Sequence, residues 1–211
     1  MQKTWQIKDQ PDATTVALLQ DSVQVSETIA YLLAQRGVKT YNEAHTFFRP
    51  SLDTLHDPFL MKDMDQAVNR LIEAISKEQR IMVYGDYDVD GTTSVATFYG
   101  FLNNFYENIE FYIPDRYIEG YGVSQKGIEY AAENKVALIV TLDCGIKANQ
   151  RVAQANDFGI DMIICDHHNP GEELPPALAV LDPKRSDCAY PFKELSGCGV
   201  GFKLLQGYCL R

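Results

Sequence analysis

The sequence predicts an α/β protein with a five-stranded, mostly parallel sheet flanked by helices, preceded by a small helical N-terminal segment. From residue 80 onward, short apolar runs alternate with stretches of helical periodicity. Strands that alternate with helices of this length are typical of βαβ units with right-handed crossovers. Acidic residues directly follow three of the apolar runs, where strands of a parallel sheet would end. The 211 residues suffice for one such domain and a small appendage.

The N-terminal segment is predicted to cover residues 1–77 and to pack on the core. Residues 25–35 have helical periodicity, and Thr40 with Glu43 forms a capping box that starts a further helix. A loop at residues 51–59 precedes a helix at about residues 63–76, whose apolar side chains fall on one face. We expect this segment to serve packing rather than chemistry.

The α/β domain is predicted to occupy residues 78–211. Strands are expected at about residues 80–84, 109–113, 137–142, 160–165 and 178–181, and helices at about 92–105, 124–134, 146–157 and 197–210. We expect the strand order 2-1-3-4-5, because this order brings the ends of the first, third and fourth strands to one crevice.

Composition predicts a cytoplasmic protein without a membrane partner. The chain is 45% hydrophobic and 23% charged, as is usual for globular proteins. No apolar run approaches the roughly 20 residues of a membrane span, and the N-terminus lacks a signal-peptide pattern. The five cysteines contain no CxxC pair, which argues against a zinc knuckle or a disulfide framework. The net charge of −10 disfavours a simple nucleic-acid-binding module, although bound divalent cations would offset site carboxylates.

Carboxylates and imidazoles follow the three strand ends that the predicted order brings together: Asp86, Asp88, Asp90, Asp143, Asp166, His167 and His168. Clustered carboxylates without a cation repel one another and take up protons. A carboxylate-rich set with imidazoles favours Mn²⁺ or Mg²⁺ over structural zinc. Taken singly, the first cluster could be a solvated acidic turn and Asp143 a helix cap. Together, the clusters predict a site for two divalent ions.

Phosphoester hydrolysis is the reaction that such a site predicts. Two ions about 4 Å apart can activate a water molecule and stabilise an in-line displacement at phosphorus. Gly91 is expected to turn the chain into a helix beginning at Thr92, Thr93 and Ser94, whose free N–H groups and hydroxyls suit an anion. Arg116 is the candidate cation for the substrate phosphate, and four further basic residues lie in or near loops after strands: Lys126, Lys147, Lys184 and Arg185.

At these motifs the sequence resembles the DHH phosphoesterase superfamily, named for the run Asp166-His167-His168. The resemblance covers essentially the whole chain. The runs at residues 47–52 and 56–61, and the Glu-Gly-Tyr-Gly stretch at residues 119–122, are similar to the branch of single-stranded-DNA-specific 5′→3′ exonucleases. The resemblance therefore implies a nuclease of DNA repair and recombination that acts on single-stranded DNA.

The resemblance also implies a role for each residue. Asp88, Asp90, Asp143 and His167 would be metal ligands, with Asp143 bridging both ions. Asp86 would be a further ligand or an acid behind the ligands. His168, paired with Asp166 as the catalytic residues, would contact the scissile phosphate or assist the leaving group. Tyr84 lies where some relatives carry a metal-binding histidine.

By the same resemblance, the chain is expected to be an N-terminal fragment of a larger nuclease. The family's fourth motif supplies a further metal-binding aspartate, and the chain ends at Arg211 before it; Asp182 and Asp187 come too early. We therefore expect the fold and most ligands, with weak or no activity. A monomer is expected, with possible partners such as a helicase or a single-strand-binding protein.

Two other functions are compatible with the same motifs. The first is a DHH enzyme that acts on short oligonucleotides, cyclic dinucleotides or pyrophosphate, because the metal centre would serve equally there. The second is a non-catalytic replication scaffold, which would have no need to retain its ligands. All seven candidate acids and histidines are present, which favours catalysis.

Overall fold

The computed structural model describes residues 4–211 and divides into two compact units, with the boundary between Leu55 and His56. The first unit contains three helices, α1 (Ala13–Val23), α2 (Glu27–Gln35) and α3 (Tyr41–Phe48). The side chains of Asp12, Ser26 and Thr40 cap the three N-termini. The predicted capping box of Thr40 and Glu43 is confirmed.

The two compact units divide near residue 55, whereas the predicted N-terminal segment runs to residue 77. Helix α4 (Met64–Ser76) belongs to the second unit. Its buried residues Ala67, Val68 and Leu71 share one apolar core with strand residues such as Ile81. The sequence showed the amphipathic face of this helix but not the surface that covers it. Packing of residues 1–55 on the core stays a prediction.

The second unit is built on a parallel sheet of five strands, as predicted. They are β1 (Ile81–Gly85), β2 (Ile109–Tyr112), β3 (Leu138–Leu142), β4 (Asp161–Cys165) and β5 (Ala179–Leu181). Their order is β2-β1-β3-β4-β5, and all four pairings are parallel. Helices therefore cover both faces, because parallel strands require crossover connections.

The remaining helices are α5 (Val89–Leu102), α6 (Gln125–Glu133), α7 (Asn149–Asp157) and α8 (Gly197–Cys209). Alternate residues of β1 point to two different cores. Ile81 and Val83 lie in the core that includes residues of α4, α5 and α8, and Met82 and Tyr84 lie in the core that includes residues of α6 and α7. Of the helices that the structure describes, none has both the length and the apolar character needed to span a membrane.

Two helix starts differ from the predictions by three residues. Helix α5 begins at Val89 rather than 92, because the Asp88 side chain accepts from the Gly91 amide and caps the helix earlier. Helix α7 begins at Asn149 rather than 146, after a turn that contains Gly145 at φ +112°. Both starts lie at the carboxyl edge of the sheet, so the shifts change the geometry of the candidate site.

Candidate metal centre

The register of the sheet brings the three predicted clusters to one edge. Gly85 is paired with Leu142, and Leu142 with Cys165, so the residues that follow these strand ends are Asp86, Asp143 and Asp166. All three side chains are buried. The sequence prediction that the clusters meet at the carboxyl ends of β1, β3 and β4 is therefore confirmed.

Asp143 lies at the centre of the cluster. It is 1% exposed, and its backbone has the left-handed φ of +61°, which is uncommon for a residue with a side chain. Its Oδ1 atom is buried without a hydrogen-bond partner, although Nε2 of His167 is 3.1 Å away. Burial, and then the charges of Asp90 and Asp88, raise the pKa of Asp143 to about 8. A buried, unpartnered carboxylate among other carboxylates fits a bound cation.

Asp90 lies in the first turn of α5, because the helix begins three residues before the predicted start. Both of its carboxylate oxygens accept hydrogen bonds from the first amides of α8, those of Gly197 and Cys198, at 2.7 Å each. Its Oδ2 atom is 3.6 Å from Nε2 of His167. Each carboxylate oxygen has a further lone pair, so these bonds leave Asp90 able to bind a metal ion.

Helix α8 closes over the centre through Gly197. A Cβ atom at this position would lie 2.4 Å from Cβ of Asp143 and 2.5 Å from its Oδ1 atom. No other residue type fits there without moving Asp143. Sequence analysis did not predict a role for Gly197, since no local pattern shows that residue 197 meets residue 143.

Asp86 and Asp88 occupy different environments. Asp86 is fully buried, and its Oδ1 atom accepts from the Gly122 amide at 3.3 Å, whereas its Oδ2 atom has no partner. Burial raises the pKa of Asp86. Asp88 is exposed and uses Oδ1 to cap α5. Asp88 is thus accessible to a ligand, and Asp86 lies behind it.

Asp166 positions its two neighbouring histidines. Its Oδ1 atom accepts from the backbone amides of His167 and His168 and lies 2.7 Å from the ring atom Nδ1 of His168. Its Oδ2 atom accepts from the Ile146 amide at 2.9 Å. These bonds fix the ring of His168 and direct its Nε2 atom toward the hydroxyl of Tyr121, 3.3 Å away.

The nitrogens of both histidines and the carboxylate of Asp143 form a compact donor set, with one atom of each residue within 4.8 Å of the others. His167 thus lies close enough to Asp143 to share a cation with it, and its role as a ligand stays a prediction. Tyr121, in contrast, has no predicted role, although its hydroxyl lies between His168 and the carbonyl oxygen of Asp143. The Glu-Gly-Tyr-Gly motif was the available signal for this tyrosine.

The anion site expected at Thr92, Thr93 and Ser94 depended on free N–H groups and hydroxyls at the start of a helix, and the structure does not place them there. Because α5 begins at Val89, the Thr92 amide donates to the Asp88 carbonyl and is not free. The hydroxyls of Thr92 and Ser94 donate to the carbonyls of Asp88 and Asp90. The prediction that residues 92–94 offer the free N–H groups of a helix start is therefore wrong. Contact of these residues with substrate stays a prediction.

The basic candidates have different surroundings. Arg116 lies over the ring of Tyr87, with 5.2 Å between Cζ and the ring centroid. Lys184 is 3.9 Å from Glu194, and buried Arg185 forms ion pairs with Asp63 and Asp187, so these two cations are already engaged. Lys126 and Lys147 form no ion pair among the residues that the structure describes.

Tyr84 and Asp182 are both core residues. The Tyr84 hydroxyl donates to the Gly122 carbonyl and accepts from the Ser124 amide, and its ring stacks on Tyr112. Tyr84 is therefore a packing residue that holds the loop after β2. Asp182 is fully buried at the end of β5, where burial raises its pKa to about 6 and its Oδ2 atom has no partner.

The comparisons with known proteins agree with this geometry. The curated single-stranded-DNA-specific exonuclease RecJ of Bacillus subtilis is 42% identical over 200 residues, which are 95% of this chain and 25% of that protein. The RecJ of Thermus thermophilus is 34% identical over 69% of this chain and 21% of its own length. The chain thus spans about a quarter of the length of these curated relatives.

Solved structures of RecJ proteins share the fold. A crystal structure of exonuclease RecJ bound to manganese is 35% identical, with a TM-score of 0.65, and the match covers 72% of this chain and 38% of that one. The crystal structure of RecJ from Thermus thermophilus in complex with Mn²⁺ is 26% identical, with a TM-score of 0.76 over 98% of this chain and 28% of that one. Residues 80–211 match the N-terminal domain of the DHH family. The chain belongs to the DHH family.

Proposed function

We propose that this chain carries the metal centre of a single-stranded-DNA-specific exonuclease that hydrolyses phosphodiester bonds with two divalent ions, Mn²⁺ or Mg²⁺. The observation that supports it most is the buried Oδ1 atom of Asp143, which faces His167 without a hydrogen-bond partner. The RecJ relatives, some of them solved with manganese, support the substrate and the metal. Digestion from 5′ to 3′, a role in repair and recombination, and a cytoplasmic monomer with helicase or single-strand-binding partners are further parts of the proposal.

The identity of the metal-binding residues is part of the proposal. Asp88, Asp90, Asp143 and His167 would hold the ions, with Asp86 as a further ligand or as support from behind. When bound, such ions lower the pKa of a coordinated water and stabilise negative charge on phosphate oxygens. His168 contributes a ring whose Nδ1 atom is held by Asp166, and its Nε2 atom would exchange the Tyr121 hydroxyl for a phosphate oxygen or a leaving group.

Mn²⁺-dependent release of nucleotides from a 5′-labelled oligothymidylate tests the proposal. The chain is used in excess over the oligonucleotide, because slow hydrolysis is expected. We expect release in Mn²⁺, none in EDTA, and none by Asp143→Ala. Equal release by Asp143→Ala would contradict the assignment of the centre. Mn²⁺ binding without any release would support the metal centre and contradict hydrolysis by this chain alone.

Substrate length separates the proposed exonuclease from the related enzymes that act on short oligonucleotides. The same assay is repeated with a dinucleotide, a single strand of about 20 nucleotides and its duplex. Faster release from the long single strand than from the dinucleotide or the duplex supports the exonuclease. Preference for the dinucleotide would support the short-oligonucleotide alternative.

A further inference from the structure

A cleft beside the metal centre has no role in the assignments above. Its volume is about 490 Å³, which is within the range of roughly 300–1,000 Å³ for small-molecule sites. Asp166 and His168 form the side that faces the centre. The other walls come from the loop after β2, from the connection between β3 and α7 and from the first turn of α7, and they include Tyr121, Val123, Ile146, Lys147, Ala148 and Arg151. A molecule bound in the cleft would therefore contact the same histidine as the scissile phosphate.

The walls of the cleft offer an apolar and aromatic surface. The Tyr121 side chain is 56% exposed although its hydroxyl is held near His168 and the Asp143 carbonyl. Val123, Ile146 and Ala148 add aliphatic surface beside it. Exposed aromatic rings that are fixed in place are the usual stacking partners of nucleobases, and stacking tolerates any base. The cleft thus combines a suitable size with a suitable surface for a nucleoside.

Two cations on the rim of the cleft have no carboxylate partner. Lys147 and Arg151 form no ion pair with any residue in the part of the chain that the structure describes. The absence of a carboxylate partner is informative, because the chain has 29 acidic residues and only 19 basic ones. Arg70 and Arg80, by comparison, pair with Asp161 and Glu110. Lys147 and Arg151 are therefore available to an external anion, and phosphate is the anion that a nucleotide supplies.

We propose that this cleft is the subsite for the nucleotide next to the scissile phosphate, with the nucleoside against Tyr121 and the phosphate beside Lys147 and Arg151. The inference rests on the proposed nuclease function and adds a second region of the protein that contacts the substrate. Because the metal ions bind the scissile phosphate, the cleft would set the position of the strand relative to them. Recognition there would be of backbone charge and base surface rather than of sequence.

Binding of 5′-phosphorylated tetrathymidylate to the whole chain in EDTA, where no hydrolysis competes, tests this subsite. The double variant Lys147→Ala/Arg151→Ala is expected to bind about tenfold or more weakly. The slope of log affinity against log salt should also decrease by about 1.4, at about 0.7 per lost phosphate contact. The variant Tyr121→Ala should bind roughly tenfold more weakly, whereas Tyr121→Phe, which keeps the ring, should bind as the unchanged chain does.

The matched control is Lys62→Ala/Lys77→Ala, which removes the same charge from exposed positions outside the cleft. This control should bind at least half as well as the unchanged chain. Backbone-amide NMR shifts of the unchanged chain provide a second readout, and they should map to residues 121–123 and 144–151. The subsite would be overturned if the cleft variants and the control bound the oligonucleotide with equal affinity. It would also be overturned if the amide shifts mapped to other residues, or if the unchanged chain did not bind the oligonucleotide. None of these results would alter the Mn²⁺-dependent release assay, which judges the proposed function separately.

Discussion

At the residue scale, the surroundings of Asp143 determine whether its carboxylate is charged. A carboxylate that is 1% exposed and has an unpartnered oxygen is unfavourable while it is charged. The carboxylates of Asp88 and Asp90 add repulsion, which a proton or a divalent ion would relieve. Asp143 is therefore expected to exchange a proton for a metal ion.

The raised pKa of Asp143 predicts how stability depends on pH without metal. Between about pH 4 and 8 the folded state keeps a proton on Asp143 that the unfolded state has lost, so folding is favoured at low pH. This contribution is lost progressively as pH rises from about 4, at up to about 1.4 kcal/mol per pH unit, and the loss is complete above about pH 8. The free energy of unfolding by urea in EDTA should be lower at pH 8.5 than at pH 6 for the unchanged chain. The variant Asp143→Asn should not show this loss. An equal pH dependence of both proteins would contradict the raised pKa.

The close approach of Gly197 to Asp143 predicts the effect of a single methyl group. In Gly197→Ala the new Cβ would lie 2.5 Å from Oδ1 of Asp143, so the carboxylate must move. We expect a loss of about 1–3 kcal/mol in unfolding free energy, as for other overpacked sites, together with at least tenfold weaker Mn²⁺ binding. Thermal unfolding and calorimetric titration would measure the two effects.

Gly100→Ala is the matched control for this change. Gly100 is exposed within α5, and a Cβ atom there would meet no atom within 4 Å. The substitution should leave Mn²⁺ binding unchanged and stabilise the helix by about 0.5–1 kcal/mol. If both variants bound Mn²⁺ as the unchanged chain does, contact between α8 and Asp143 would be irrelevant to the centre.

The candidate ligands could be selected from the sequence, but the backbone amides that hold them in place could not. Asp86, Asp143 and His167 stand at strand ends, so the local pattern was enough to select them. Asp90 binds the amides of Gly197 and Cys198, and these contacts join residues more than a hundred positions apart. Tertiary packing alone determines such contacts, and no local spacing encodes them.

At the scale of elements, Arg185 links the segment after β5 to the start of α4. Its guanidinium contacts Asp63, just before α4, at 2.5 Å, and it donates to the carbonyl of Val180 in β5 at 2.6 Å. It also pairs with Asp187 in two contacts. Four of the five N–H donors of this buried guanidinium are used within the chain, so the sequence suggestion that Arg185 supports a phosphate is not supported.

Replacement of Arg185 should affect stability rather than metal binding. Arg185→Ala leaves Asp63 without its buried partner, and we expect a loss of about 3 kcal/mol in unfolding free energy. Mn²⁺ affinity at fixed temperature should remain within twofold of the unchanged chain. Chemical denaturation and calorimetry would measure both. The control Lys184→Ala, whose ion pair is long and meets an exposed glutamate, should lose less than about 1 kcal/mol. A similar loss in both variants would show that Arg185 does not link these elements.

Helix starts were the least predictable part of the elements. The prediction placed the start of α5 at the first residue after Gly91, because glycine often marks a turn. Instead, the Asp88 side chain caps the helix, and Gly91 is required because a Cβ atom would lie 2.3 Å from the carbonyl oxygen of Asp86. The difference moves Asp90 onto the helix and leaves Thr92 without a free amide.

At the scale of the whole molecule, the strand order was predictable because chemistry constrained it. The acidic clusters come together when β1, β3 and β4 are neighbours in the sheet, and the structure has them side by side. The boundary between the two units was not predictable, because α4 and the N-terminal helices have the same kind of amphipathic pattern. Only the packing of α4 against the sheet assigns it to the second unit.

Calorimetric titration of the metal-free chain with Mn²⁺, beside Asp143→Ala and the exposed control Asp157→Ala, tests the central claim most directly. The proposed centre predicts that two ions bind the unchanged chain and the control, and that Asp143→Ala loses both, since Asp143 would be the ligand that they share. Below pH 8, binding should also release a proton, because the metal displaces it from Asp143. Absence of binding to the unchanged chain, or undiminished binding to Asp143→Ala, would contradict a metal centre built on this residue.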